Sequence, residues 1–485
     1  MLVSKKIQTN HLKLKKMKKI IYTVLFCNLF LLGCSSDFLD KAPISNANEA
    51  AFYKSQKDIE TAMWSAYNSL YTLYGPESLP SFYGELMSDN AYSDNAAGRI
   101  QDYESFELHT MTIDNELVFN FWNNYYKAIY IVNNVIASAE RLEFANRDAL
   151  IGEAKFLRAL YYFDMVRAWG DVPLVKTPIS IADAYAQGRT PKAQVYAQIV
   201  EDLDFAAAKL PVKSSQRFVG AASQEAANTL LGKVYLTMGN KTKAAETLLK
   251  VYGKFSLVPY ADLWDLTKKN NVSSIFEIQY KGGLSSPYSL YWAMFSPVDN
   301  RVVTSWGGGF NQITNDLWNA YEAGDPRRAI SIQDGYQTAN GSRVEVKFPI
   351  KWKDTKAPVV GLREASDNNF MILRYADVLL MLTEATSDPK YLNEVRTRVG
   401  LPLYGTVGYP TKYNTVELAL EHENQVEFAS EFHRWFDLIR TGRAISVIKS
   451  SSKNITITEE ELVLPIPFLV INQNPDVITQ NEAYK

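Results

Sequence analysis

Sulfur and imidazole are scarce in this chain. Its 485 residues hold two cysteines and four histidines. Cys27 lies inside an apolar segment near the start, so only Cys34 remains beyond it and no disulfide is expected. A protein of this length without covalent staples has to be held by its core. Only His109, His422 and His433 follow the leader, and neither an HExxH motif nor a Cys/His cluster occurs. That argues against a metal centre built on imidazole or thiolate. Long apolar runs are missing as well. Ile20 to Leu32, interrupted by Thr23 and Asn28, falls short of the roughly 20 residues a membrane-spanning helix takes. No charge of one sign dominates. Seven of the 51 basic residues and none of the 53 acidic ones precede Cys34, which leaves 44 basic against 53 acidic groups from there on. So mild an acidity creates no field for nucleic acid or anionic lipid. Gly307-Gly308-Gly309 lacks the Lys and Ser/Thr of a phosphate-binding loop.

What is present begins with an address. Lys15, Lys16, Lys18 and Lys19 precede the apolar run, and Leu31-Leu32-Gly33-Cys34 ends it. Basic, apolar and small-residue regions in that order make a secretory signal, here residues 1–33. The Leu-Leu-Gly-Cys pattern resembles a bacterial lipobox, which implies that Cys34 becomes the acylated first residue of the mature chain. Two or three acyl chains suffice for stable anchoring. Asp37 and Asp40 resemble the export signal of surface lipoproteins.

Beyond the leader the periodicity is helical. Asp58 to Leu73 places Ile59, Met63, Ala66, Tyr67 and Leu70 on one face. Asn115 to Leu142 and Ala149 to Trp169 continue the pattern, the latter stopped by Gly170 and Pro173. Thr190-Pro191 reads as an N-cap followed by a first-turn proline, opening a helix to about Lys209. Within Ser223 to Tyr252, Leu231-Gly232-x-x-Tyr235, a turn at Gly239-Asn240, then Ala244 and Leu248 match the tetratricopeptide (TPR) repeat at five positions. From about Tyr260 to Asn369, Gly, Pro, Ser, Asn and aromatics take over. Strands are expected at Ser274 to Tyr280 and Val344 to Trp352, and a helix at Ile313 to Ala323. Helices resume at Ile372 to Thr386, Tyr391 to Val399 and Val416 to Arg440, and the tail from Leu462 is extended. The fold class is mainly α: a TPR-like superhelical scaffold of helix pairs with a loop-rich insertion lobe and a few short strands. The regions are 34–259, the lobe 260–369, and 370–485, all parts of one domain.

Several segments in order carry a family resemblance. Cys34-Ser-Ser-Asp-Phe-Leu-Asp, Glu153 to Val175 (EAKFLRALYYFDMVRAWGDVPLV), Arg374 to Met381 (RYADVLLM) and Asn393 to Pro402 (NEVRTRVGLP) are four of them. Glu427 to Arg440 (EFASEFHRWFDLIR) and Leu464-Pro-Ile-Pro467 with Gln473-Asn-Pro475 complete the series. Together they are similar to the SusD/RagB family of outer-membrane nutrient-binding lipoproteins. Asn424-Gln425, where the family is Arg-rich, and Val399, where it has alanine, depart from the pattern. The resemblance implies a lipid-anchored protein facing the cell surface on the outer membrane. It further implies a SusC-like TonB-dependent transporter as partner, an oligosaccharide as ligand, and no catalysis. Peptide capture of the RagB kind and a scaffold without nutrient binding are the alternatives.

Binding candidates fall in two regions. One is the loop Phe82 to Arg99, with Tyr83, Asp89, Asn90, Tyr92, Asp94, Asn95 and Arg99. The other is the irregular lobe, with Tyr288, Tyr291, Trp292, Asn300, Arg301, Trp306, Asn311 and Trp318. The strongest ligand-binding candidates are Tyr83, Asp89, Asn90, Tyr92, Arg99, Tyr288, Trp292, Arg301 and Trp306. Aromatic faces bury the C–H face of a sugar ring, and Asn, Asp and Arg match its hydroxyl rim. Trp292 and Trp306 stand in Gly/Ser/Pro-rich context where core packing is thin, whereas Trp318 reads as core. Asp89, Asp94 and Asp102 with Asn90 and Asn95 offer oxygen ligands of the kind calcium takes, but their spacing fits no defined loop, so no cofactor is expected. Glu427, Glu431, Arg434, Asp437 and Arg440 read as a polar helix face of intrahelical ion pairs with no catalytic role, and Arg374 with Asp377 likewise.

Overall fold

Helix pairs open the chain, as their apolar spacing requires. The computed structural model describes residues 53–94, 100–284, 287–298 and 301–485. The signal segment, Cys34, Asn95, Arg99 and Asn300 lie outside the described residues. The first half contains α1 (Gln56–Leu73), a two-residue strand β1 (Ala91–Tyr92), α2 (Ile100–Leu108), α3 (Glu116–Glu140) and α4 (Arg147–Trp169). It continues with α5 (Ile181–Tyr185), α6 (Lys192–Lys209), α7 (Gln224–Thr237) and α8 (Lys241–Leu248). Local chemistry sets the ends. Asn115 caps α3 by accepting the Val118 N–H, Gly170 closes α4 at φ 72°, and Ser223 and Asn240 cap α7 and α8. Helix α6 starts one residue later than expected. Pro191 takes the cap position, and Asp171 accepts the free Lys192 N–H at 2.7 Å.

Neighbours in sequence are neighbours in space: α3 packs on α4, α4 on α6, α6 on α7 and α7 on α8. In the α7–α8 pair a Cβ on Gly232 would stand 2.5 Å from Leu248 Cγ. The glycine is therefore the residue that lets the two helices close. This is the TPR-like arrangement that Leu231-Gly232-x-x-Tyr235 and Ala244 encode.

The lobe supplies strand β2 (Ser274–Ile278), α9 (Tyr291–Phe295), β3 (Gln312–Ile313), α10 (Asn315–Ala320) and α11 (Pro326–Ser331). A hairpin β4 (Ile332–Gln337)–β5 (Arg343–Pro349) and a small one, β6 (Val359–Val360)–β7 (Arg363–Glu364), follow. Its aromatics are mostly interior. Tyr291 lies 5.2 Å from Phe370 and 5.1 Å from Trp352, and Phe370 stacks on Phe432 at 5.0 Å. The last part holds β8 (Phe370–Arg374), α12 (Tyr375–Thr386), α13 (Lys390–Arg398) and α14 (Val416–Glu427). Then come α15 (Arg434–Arg440), α16 (Ala444–Ser450) and α17 (Phe468–Gln473). Helix α12 packs on α8 and continues the stack. Residues 59–485 pack as one unit.

Three expectations are corrected. Ile372–Arg374 is strand, not helix: β8 pairs antiparallel with β2, and all five of its residues are buried, a pattern that periodicity cannot tell from a buried helix. The tail is extended only in part, since α17 interrupts it. The helix expected over Val416 to Arg440 breaks after Glu427. Ser430 and Phe432 take left-handed backbone, φ 60° and 69°, and the Glu85 carboxylate accepts both of their N–H groups at 3.1 Å.

That break reorganises the charges. Asp437–Arg440 is an ion pair along one helix, as expected, but Glu427 and Glu431 reach across the fold. Arg374 donates to both, through Nε to Glu431 at 2.8 Å and through Nη1 to Glu427. Lys351 meets Glu431 at 2.7 Å, Arg327 bridges Asp325, Glu423 and Glu427, Arg396 bridges Glu322 and Glu423, and Arg398 meets Glu427. Five cations and five carboxylates thus form one connected lattice. Arg327, Arg396, Glu423 and Glu427 have no exposed surface. Burial pushes the Glu427 carboxyl up, yet Arg398, Arg374 and Arg327 outweigh it and hold it well below the ordinary range. Replacing Arg374 by Met removes one of the three guanidinium partners of Glu427 and leaves Glu431 with Lys351 alone, both in the interior. The unfolding free energy should fall by about 3–5 kcal/mol, read from a denaturant titration; a change under about 1 kcal/mol would contradict the lattice.

Candidate functional site

The first candidate region, from Phe82 to Asn90, is built as a clasp. Residues Pro80–Leu86 form a π-type turn buried against the break after α14, where a Cβ on Gly84 would lie 2.4 Å from the Phe432 carbonyl oxygen. Tyr83 is fully buried and donates to the carbonyls of Arg167 and Leu462. Asp89 receives Arg434 in a two-pronged pair at 2.8 and 2.9 Å. Asn90 donates to Glu85 and accepts from Gln425, both at 3.0 Å. These three side chains are consumed by internal partners, so none of them can meet a ligand. Tyr92 is half-buried in the β1–β3 pair. Among the described residues no group of three His, Cys, Asp or Glu is placed to hold a metal ion.

The lobe divides. Trp292 is only 3% exposed and packs beside Phe348, and Asn311 donates inward to Ser81 Oγ at 2.8 Å; both belong to the interior. Trp318 is half-buried against the cluster of Ile313, Leu317, Tyr321 and Val426, as its helical context suggested. Tyr288 is half-exposed and Arg301 exposed. Trp306 is half-exposed and opens onto a groove.

That groove has a cavity volume of about 500 Å³. Its apolar lining is Trp306, Tyr103 from α2, Leu117 and Phe121 from α3, Met294 and Phe310. Phe310 meets Tyr103 edge-on at 4.9 Å, and Phe82 stacks under Tyr103 at 5.2 Å, so the floor is rigid. The polar lining is Glu77, Asn120, Asn124 and Arg363. Asn120 and Asn124 stand one turn apart on α3, half-buried, and their amides make no hydrogen bond to the described residues. The Tyr103 hydroxyl donates to Glu77 at 2.9 Å. The Arg363 guanidinium lies 4.5 Å from the Trp306 ring centroid.

The glycine triplet explains how Trp306 gets there. A Cβ on Gly307 would fall 1.8 Å from the Pro297 carbonyl oxygen, and one on Gly308 would fall 2.6 Å from that of Met294. Side chains are impossible where this strand presses on the end of α9. Gly308 and Phe310 donate there to Ala293 and Met294 at 3.0 Å, and Ser305 donates to Glu364. Of the nine sequence candidates, Trp306 lines this groove. Tyr103, Asn120, Asn124 and Arg363 were missed. The helical Asn-rich pattern of α3 was visible, but which of its faces stayed open was not.

Comparison with known proteins bears on the chain as a whole. A family model described as starch-binding and associating with the outer membrane matches residues 37–236, and one described as the SusD family matches residues 293–484. SusD-like protein P2 of Formosa agariphila is 27% identical over 522 aligned positions, covering 96% of this chain and 100% of that protein. A SusD-like protein of Bacteroides ovatus is 26% identical, covering 87% and 82%. Among solved structures, a laminarin-binding SusD-like protein is 26% identical with a TM-score of 0.76, covering 89% of this chain and 100% of that one. Surface glycan-binding protein A from Bacteroides fluxus, at 23% identity and TM-score 0.75, shares the fold.

The clasp has a pH signature. Burial pushes the Glu85 carboxyl up to about 7, against the hydrogen bonds of Asn90, Ser430 and Phe432 that favour its charge. A raised folded-state value means that its contribution is fully present below the ordinary value near 4.5 and is lost as pH rises through about 7. The stability of the native chain relative to Glu85→Gln should therefore decline by about 3 kcal/mol between pH 4 and pH 8. The glutamine variant carries its own constant penalty, because its NH₂ faces a donor. A difference independent of pH in matched denaturant titrations would refute this.

Proposed function

The chain is a SusD/RagB family protein with a TPR-like helical fold, and on that premise we propose that it captures an oligosaccharide in the Trp306 groove. The observation that carries this is the pairing of an aromatic lining with two uncommitted amides, Asn120 and Asn124, in one open cavity. Stacking accounts for the ring faces and the amides for the hydroxyls. The laminarin-binding relative supports the ligand class.

The finer reading is that of a lipoprotein anchored through Cys34 on the outer face of the outer membrane, handing its ligand to a SusC-like TonB-dependent transporter. The lipobox-like Leu31-Leu32-Gly33-Cys34 and the outer-membrane association in the matching family description support it. No helix among the described residues is long and apolar enough to cross a membrane. We take the chain to bind without cleaving: among the described residues the groove is lined by a single carboxylate, Glu77, where glycoside hydrolysis uses a pair.

A panel of oligosaccharides titrated by calorimetry tests the groove. Trp306→Ala should weaken the binding of any responsive saccharide about ten-fold or more while leaving the thermal midpoint unchanged. Binding that survives the substitution, or a chain that responds to peptides alone, would defeat the reading.

A further inference from the structure

The Trp306 groove contains one charge that the described residues leave unmatched. Most half-buried and buried arginines elsewhere in the described chain are neutralised by carboxylates: Arg158 by Asp202, Arg167 by Asp164, Arg434 by Asp89, Arg440 by Glu384; Arg189 meets carbonyls instead, and Arg328 lies against the Trp318 ring. Arg363 is half-buried, and no carboxylate or carbonyl of the described residues meets its guanidinium. Glu364 follows it along β7, forms no ion pair with it, and accepts the Ser305 N–H instead. The groove's own carboxylate, Glu77, is exposed, engaged by Tyr103 and likewise not paired with Arg363. What does hold Arg363 is the Trp306 ring, against which the guanidinium sits at 4.5 Å. An aromatic face fixes the plane of the guanidinium while leaving its edge donors free.

We infer that the saccharide taken by this groove is anionic, with a carboxylate or sulfate ester that docks on Arg363 beside Trp306. The inference rests on the oligosaccharide reading above and specifies its ligand class. A bound sugar strips water from the groove, and Arg363 must then find a new partner. The hydroxyls of a neutral sugar give ordinary hydrogen bonds. An acidic group gives charge-assisted, two-pronged ones, about twice as strong, on a fork that is already held in place. Asn120 and Asn124 then read the hydroxyls of the same or the next ring.

Three probes separate the possibilities: tri-galacturonate for the carboxylate, a κ-carrageenan tetrasaccharide for the sulfate ester, and laminaritriose as the neutral control. Calorimetry on the native protein should find one anionic probe bound at least about ten-fold tighter than laminaritriose. That advantage should shrink as NaCl is raised to 0.5 M. Arg363→Gln should bring the anionic probe down to the neutral level, and Arg363→Lys should restore part of the loss, with thermal midpoints confirming that both variants are folded. The comparison of the three probes on the native chain needs no variant. Laminaritriose binding as tightly as the anionic probes, and equally in Arg363→Gln, would overturn the anionic assignment while the oligosaccharide reading stood. Failure of all three to bind, with Trp306→Ala without effect on any saccharide of the wider panel, would remove both.

Discussion

Glu427 meets three guanidinium groups, from Arg327, Arg374 and Arg398, at a point with no exposed surface. The rest of the fold is arranged around that constraint. Its partners come from α11, from the end of β8 and from α13, so one carboxylate ties the lobe to two parts of the C-terminal region. Such a lattice adds little net stability over a well-packed apolar core. Its force is in what it forbids. Any arrangement that leaves one of its members buried and unpaired is penalised by about 3–5 kcal/mol. The arrangement with every charge matched is thereby selected.

The lattice has a local consequence. Arg374 Nη2 takes the Glu427 carbonyl, and Glu85 takes the N–H groups of Ser430 and Phe432. Backbone groups that a continuing helix would have paired are paired from outside it, and the chain turns between α14 and α15. The turn receives the π-type segment at Pro80–Leu86, and this commits Tyr83, Asp89 and Asn90 to the interior. The segment from Tyr83 to Asn90, which looked like part of a polar binding loop, became a joint. The open groove was left to α2, α3 and the segment around Trp306. There, Gly307 and Gly308 let the backbone press on α9 and carry Trp306 to the rim.

Much of the scaffold could be read directly. The faces of α1, α3 and α4, the stop at Gly170 and the α7–α8 hairpin with Gly232 against Leu248 depend on neighbours a few residues away. The site was hardly legible. Trp292 and Trp306 share the same Gly/Ser/Pro-rich context, yet one is buried beside Phe348 and the other lines an open groove. Asn120 and Asn124 resemble any polar helix positions until Tyr103, Phe310 and Arg363 arrive from segments far off in sequence.

Composition and periodicity by themselves determined the helical class and the TPR-like pairing. These are properties of local spacing, which a helix of 3.6 residues per turn repeats wherever it occurs. Tertiary structure alone decided which charges were buried, where the helix after Val416 broke, and which aromatics kept an open face. Those outcomes turn on desolvation and on contacts between residues as much as 379 positions apart, as Tyr83 and Leu462 are. No local pattern of residues encodes either.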